Sequence, residues 1–258
     1  IKLSSPPDQQ IKAYLNLFTH STKQHYHLSI TINIPFAAGL ASSACLFACI
    51  IKGLDHLHNW SLDKQSLSIL ARLGSGSAAR SIETGFVQWH KGERSDGMDS
   101  YAQKISATWP DFCIGLAIID QSKKEISSRA AMQQTIDSSP LYSTWPTTAE
   151  SDFHTLHQAI IDHDFITLGR TAEANALCMH ATMQAARPSI MYTQAKTHEL
   201  MRLVWDLRSQ GLSVFFTQDA GPNLKLLFLK KDTQQIRALI SALDIITPFS
   251  NENAYDHK

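Results

Sequence analysis

Leu212–Leu229 reads LSVFFTQDAGPNLKLLFL. Two apolar runs, Leu212–Thr217 and Leu224–Leu229, flank a Gly221-Pro222 turn, so the stretch predicts two strands joined by a tight connection. Asp219 is the lone carboxylate of the turn and sits at the end of the Ser213–Thr217 run, a placement that predicts a buried, positioned base; the plainer role is to cap the turn. Upstream, Ser127 to about Ser209 is mainly helical, with helices expected over Ser128–Asp137, Thr148–Ile161, Phe165–Ala185 and Ile190–Gln210 and breaks near Pro140, Pro146 and Pro188. Before these, Phe112–Asp120 reads as a buried strand, Asp99–Ile105 as a short helix and Gly85–His90 as a strand. Leu62–Leu73 is a helix capped by Asp63 or Ser61, and Ala41–Leu57 is a helix buried on a broad face. Tyr26–Ile34 alternates with the period of a half-buried strand. Thr233–Leu243 closes the pattern as an amphipathic helix. Strands and helices, then helices, then strands lack regular βαβ alternation, so the expected class is α+β with mixed sheets packed against helices.

The chain has 258 residues, enough for one large domain or two lobes. Lys plus Arg and Asp plus Glu both number 23, and no basic block is interleaved with aromatics, which argues against nucleic-acid binding. An anionic ligand must therefore be met by local groups. Cys45, Cys49, Cys113 and Cys178 lack CxxC spacing and suit reduced thiols in a cytoplasmic protein, with Cys45 and Cys49 expected in the core. No apolar run reaches the roughly 20 residues of a membrane helix, and no signal-peptide pattern opens the chain. Ile1 comes without an obvious first strand, which predicts that further sequence precedes it.

Two other motifs carry chemistry. Pro35–Ala44, PFAAGLASSA, places Gly39, Leu40, Ala41, Ser42 and Ser43 where a loop enters a helix, whose free N–H groups attract phosphate. It is not a Walker A motif, and a plain small-residue helix start is the competing reading. Gly74–Ser81, GSGSAARS, sets Ser75, Ser77 and Arg80 in one short segment, where two hydroxyls and a planar guanidinium can converge on an oxyanion. The alternative is a Gly-Ser linker before a surface arginine. The histidine pairs His25/His27, His56/His58 and His154/His157 bring no further ligands at metal spacing, so no protein-ligated metal is expected. A GxSxG elbow is absent.

Taken together, PFAAGLASSA, ARLGSGSAARSIETGFVQWHKGERSDGMDS and DAGPN, in this order and spacing, resemble the diphosphomevalonate decarboxylase family of the GHMP kinase superfamily, more weakly through KKEISSRAAMQQTIDSSP and AEANALCMHATM. The resemblance implies a two-lobed GHMP fold, with an ATP-binding lobe over 1–110 and a second lobe over 111–258. It implies ATP-dependent decarboxylation of (R)-mevalonate 5-diphosphate to isopentenyl diphosphate in the cytoplasm, by a homodimer using ATP and Mg²⁺. Carried over by motif, Asp219 would face the C3 hydroxyl and Arg80 would hold the substrate carboxylate with Ser75 and Ser77 around it. Ser128 and Met132 would line the substrate pocket, and Gly39–Ser43 would attend the ATP phosphates. Family members also carry an N-terminal segment, with a lysine and a Tyr-Trp pair, that this sequence is expected to lack. A related mevalonate 3-kinase, a phosphomevalonate decarboxylase and an inert nucleotide-binding homologue are the alternatives; retention of Asp219 argues against the last.

Overall fold

A computed structural model describes residues 9–19, 26–31, 42–122, 125–240 and 243–246. The chain divides into two compact units, Ile1–Ile105 and Ser106–Lys258.

The first unit contains α1 (Gln9–Asn16), α2 (Ser42–His58), α3 (Lys64–Gly74), a 3-10 segment (Gly76–Ile82) and a small antiparallel sheet of β1 (Val87–Trp89) and β2 (Ala102–Lys104). Helix α3 starts at Lys64, two residues after the expected Leu62, because Asp63, one of the two expected caps, accepts the Ser66 N–H at 2.7 Å. The core gathers helical-spaced residues: Ile11 and Tyr14 of α1, Phe47, Ile51 and Leu54 of α2, and Leu67 and Ala71 of α3. Tyr14 lies edge-on to Phe47 at 4.9 Å and donates to the Leu70 carbonyl at 3.0 Å, so its polar tip is satisfied inside the core. Gly74 is needed at the end of α3, since a Cβ there would sit 2.2 Å from the Phe47 ring.

Three expectations change in this unit. Asp99–Ile105 is not a helix: its second half is β2, paired antiparallel with β1, and Asp99 instead accepts the Glu93 N–H at 2.7 Å and the Arg94 N–H at 3.1 Å to close the preceding loop. Cys45 and Cys49 are exposed, because the core-facing line of α2 runs through Ala44, Phe47, Ala48 and Ile51, one position away. They line an apolar cavity of about 620 Å³ with Tyr26, Ile30 and Leu57. In the strand expected over Tyr26–Ile34, residues 26–31 form no ladder and residues 32–34 lie outside the described residues.

The second unit contains β3 (Phe112–Ala117), α4 (Ser128–Ser138), α5 (Trp145–Ile161), α6 (Phe165–Gln184), α7 (Ala195–Ser209), β4 (Phe215–Gln218), β5 (Leu224–Leu229), α8 (Thr233–Leu239) and β6 (Leu243–Ile246). The strands form one antiparallel sheet in the order β4-β5-β3-β6. Leu224, Leu226 and Phe228 alternate along β5 into a cluster with Phe216 of β4, Val204 and Leu207 of α7, and Ile236 of α8. Phe215 points the other way, to Phe165 and Gly169 of α6. Both faces of β4 are thus covered at its start, which explains why Phe215 and Phe216 stand side by side in its sequence FFTQ.

Boundaries shift where local chemistry outweighs periodicity. Helix α5 starts at Trp145 because Pro146 suits a first turn, where its missing N–H costs nothing. Helix α7 starts at Ala195, not Ile190, because Gln194 and Thr197 form a reciprocal capping box. The last helix stops at Leu239, and Leu243, its expected end, instead begins β6. Strands and helices thus give the α+β class that the sequence predicts. Among the described residues no helix is long and apolar enough to cross a membrane.

Candidate active site

In the GSGSAARS motif Gly74 ends α3, Ser75 caps it, and residues 76–81 fold into the 3-10 segment. Ala78 and Ala79 are fully buried, and the Ala79 carbonyl accepts the Ser68 hydroxyl at 3.0 Å, whose oxygen in turn accepts the Ala102 N–H at 2.8 Å. Pinning the alanines inward turns Arg80 outward. Its guanidinium lies over the Trp89 ring at 5.7 Å, and Trp89 is held by its indole N–H to the Ser100 hydroxyl at 3.3 Å. The same ring accounts for Gly76, where a Cβ would approach it to 3.1 Å. The hydroxyls of Ser75 and Ser77 are 3.4 Å apart.

Ser77 and Arg80 line a cavity of about 400 Å³ with Ala44, Ser81, Glu83 and Phe86. Ala44 belongs to the first turn of α2, so the structure joins the arginine segment to the start of the helix that follows the GLASSA loop. Gly39, Leu40 and Ala41 lie outside the described residues; Ser42 opens α2 and Ser43 is exposed in its first turn. Glu83, the acid in this cavity, is engaged by Lys64 at 2.8 Å. A guanidinium and hydroxyls beside a helix start make a set of donors suited to an anion.

The second set of residues surrounds the turn between β4 and β5, which is fixed almost atom by atom. Asn223 Oδ1 accepts the N–H groups of Ile119 at 2.6 Å and Asp120 at 2.9 Å, and its Nδ2 donates to the Asp120 carbonyl at 2.8 Å. Thr197 Oγ1 donates to the Pro222 carbonyl at 2.9 Å, and Gln218 Nε2 donates to the Gly221 carbonyl at 2.8 Å. The Asp219 carbonyl accepts the Gly221 N–H at 2.8 Å and His180 Nε2–H at 3.2 Å. What is buried is therefore the frame of the turn. The Asp219 side chain is 59% exposed and paired with Lys225, which corrects the expectation of a buried base: the carboxylate projects past the end of β4. A fixed backbone with an exposed carboxylate can present an acid-base group to a solute.

Helix α4 flanks this turn. Ser127 caps it by accepting the Ala130 N–H at 3.2 Å. Ser128 opens the helix and Met132 follows one turn later, half exposed. Ala131, between them in sequence, is fully buried in a cluster with Met183, Ile190 and Tyr192, against which Ala220 of the turn also packs. Ser128, Met132 and Asp219 thus stand on segments that share one small core.

Sequence reasoning missed Trp89, His180 and Lys225. Burial of His180 pushes its imidazole below the usual histidine value, against smaller upward pulls from the Asp219 and Gln218 carbonyls and the Asp219 charge. Its signal was present, because Glu173, Ala176, His180 and Met183 follow the helical spacing of a buried face. Among the described residues no group of His, Cys, Asp and Glu gathers as metal ligands.

Residues 2–102 match the model of the diphosphomevalonate decarboxylase-like N-terminal domain, and residues 114–256 match the mevalonate 5-diphosphate decarboxylase C-terminal domain. The chain is 35% identical over 216 residues to diphosphomevalonate decarboxylase mvd1 of Aspergillus fumigatus, covering 82% of this chain and 54% of the relative. It is 32% identical over 222 residues to the diphosphomevalonate decarboxylase of Saccharomyces cerevisiae, covering 84% and 56%. It thus spans about half the length of the curated relatives it matches. Mevalonate diphosphate decarboxylase from Enterococcus faecalis superposes with a TM-score of 0.82 at 34% identity, covering 92% of this chain and 74% of that one. A structure of MDDEF in complex with MVAPP, AMPPCP and magnesium superposes with a TM-score of 0.81 at 33% identity, covering 92% and 75%.

Proposed function

The chain belongs to the diphosphomevalonate decarboxylase family, and on that premise we propose that the protein converts (R)-mevalonate 5-diphosphate and ATP into isopentenyl diphosphate, ADP, phosphate and carbon dioxide. The observation that carries the proposal is the Asp219 turn, where a locked backbone presents an exposed carboxylate. Asp219 orients the tertiary C3 hydroxyl and takes its proton as the γ-phosphoryl group is transferred. A bare hydroxyl is a poor leaving group; once phosphorylated it departs as phosphate, while the electrons of the breaking bond to the carboxylate carbon form the new double bond. Arg80, with Ser75 and Ser77, holds the substrate carboxylate, its planar fork matching two oxygens. Ser128 and Met132 line the substrate pocket, and Gly39, Leu40, Ala41, Ser42 and Ser43 attend the nucleotide phosphates. ATP supplies the phosphoryl group and would bring Mg²⁺ with it, its phosphates attended by the start of α2, where Ser42 and Ser43 stand in the first turn. A homodimer in the cytoplasm completes the proposal.

The test measures phosphate and carbon dioxide release by the full-length protein with Mg-ATP and (R)-mevalonate 5-diphosphate, beside Asp219→Asn. Equal release of both products, lost in the variant, is expected. ATP turnover without carbon dioxide would identify a kinase, and no turnover by the unmodified protein would overturn the assignment.

A further inference from the structure

Helix α6 grips β4 at two points. Near the start of β4, Glu173 accepts the Phe216 N–H at 3.4 Å while also accepting Trp205 Nε1–H at 2.8 Å and Arg208 at 2.8 and 3.0 Å. Past its end, His180 Nε2–H reaches the Asp219 carbonyl at 3.2 Å. The spacings match: the seven helical residues from Glu173 to His180 rise about 10.5 Å, and the three residues from Phe216 to Asp219 extend about 10 Å. Seven residues are also close to two full turns, so both side chains leave the same face of α6.

The imidazole is only 4% exposed and stands perpendicular to Tyr192, with centroids 6.3 Å apart. Tyr192 donates its hydroxyl to the Ile126 carbonyl at 3.1 Å, two residues before Ser128. His180 therefore lies at the junction of the Asp219 turn and the segment that starts α4.

We propose that His180 is a positioning residue for Asp219: its Nε2–H fixes the Asp219 carbonyl, and with it the direction in which the carboxylate leaves the backbone. This rests on the proposed role of Asp219. Because the imidazole acts through the backbone on one reacting group, its loss lowers kcat and spares substrate binding. Packing alone would not distinguish a side chain that keeps an N–H at the Nε2 position from one that does not.

The experiment compares His180→Gln, whose amide can place an N–H near the Nε2 site, with His180→Leu. His180→Asn, whose shorter amide stops near the Nδ1 level, replaces Leu if Leu does not fold. Steady-state kinetics with mevalonate 5-diphosphate are read beside hydrogen exchange at the Gly221 amide, which donates to the same carbonyl. The expected result is a kcat lowered on the order of tenfold to a hundredfold in Leu or Asn, with KM within about twofold and largely restored kcat in Gln. Gly221 exchange should quicken in Leu or Asn and not in Gln. Equal kcat in Gln and Leu, or a raised KM at unchanged kcat, would overturn the positioning role. If the unmodified protein shows no turnover, the functional reading fails, and exchange still decides whether His180 fixes the turn: unchanged Gly221 exchange in Leu or Asn rejects it.

Discussion

Asp219 and Lys225 form an ion pair in which the carboxylate is 59% exposed, and such pairs contribute roughly 0 to 1 kcal/mol. Asp219→Asn should therefore leave the urea midpoint nearly unchanged, so that lost product release reports chemistry and not unfolding; a stability loss of more than about 2 kcal/mol would contradict this reading. Arg80 makes the opposite case. Arg80→Lys keeps the charge and gives up the planar fork and its broad contact with Trp89, so kcat/KM should fall about tenfold to a hundredfold, and an unchanged value would remove Arg80 from the carboxylate. His180 yields a pH dependence whose sign follows from burial. The folded pKa lies below the unfolded value of about 6.5. Above that pH both states are neutral and the native contact is fully present; as pH falls below it the unfolded state takes up a proton first, and stability is lost. Thermal melts from pH 7.5 to 5.5 should fall less steeply for His180→Gln than for the unmodified protein. These residues differ in legibility. The glycine-proline turn and the Asp63 cap are local chemistry and could be read directly. Lys225 could not, because its approach to Asp219 depends on β5 pairing in the register that sets Lys225 opposite Thr217.

At the scale of elements, Gly169 in α6 separates propensity from packing. Alanine in a helix interior is favoured over glycine by about 1 kcal/mol. Here the new Cβ would lie 2.1 Å from the Phe215 ring, which is 1% exposed and held between Phe165 at 5.6 Å and the Arg208 guanidinium at 4.5 Å. With no room to move, overpacking costs about 1 to 3 kcal/mol or more and exceeds the propensity gain. Gly169→Ala should lower the urea midpoint, and a rise would show that α6 is not pressed on β4 as described. The same contrast explains which elements were legible. Long amphipathic helices and the β5 run carry their period in sequence. Ala102–Lys104 does not: three residues cannot distinguish a helical turn from a strand, and their state is set by pairing with β1 and by Ser68 from α3. Leu243–Ile246 is almost as short, and the helix expected over Thr233–Leu243 overlaps its first residue, because pairing with the edge of β3 is what makes it a strand.

At the scale of the molecule, the division of the chain is itself testable. The motifs suggest lobes meeting at residue 110, whereas contacts within the structure divide the chain after Ile105. We propose the earlier division, because the residues between the two positions carry contacts to the second unit. Trp109 is 7% exposed and packs against Phe112, His163 and Phe165, with centroids 5.8, 4.8 and 6.2 Å away. The Thr108 carbonyl accepts His163 Nε2–H at 3.1 Å. The second unit has its own sheet, and its core draws on β3, β4, β5, α7 and α8, so residues 106–258 should fold alone with a single cooperative transition. A fragment beginning at residue 111 keeps that core and loses the Trp109 side chain, whose removal from a buried site costs about 3 to 5 kcal/mol. The longer fragment should therefore unfold at clearly higher urea than the shorter one. Equal midpoints would return the boundary to residue 110, and absence of a cooperative transition in either fragment would mean that the second unit needs the first in order to fold.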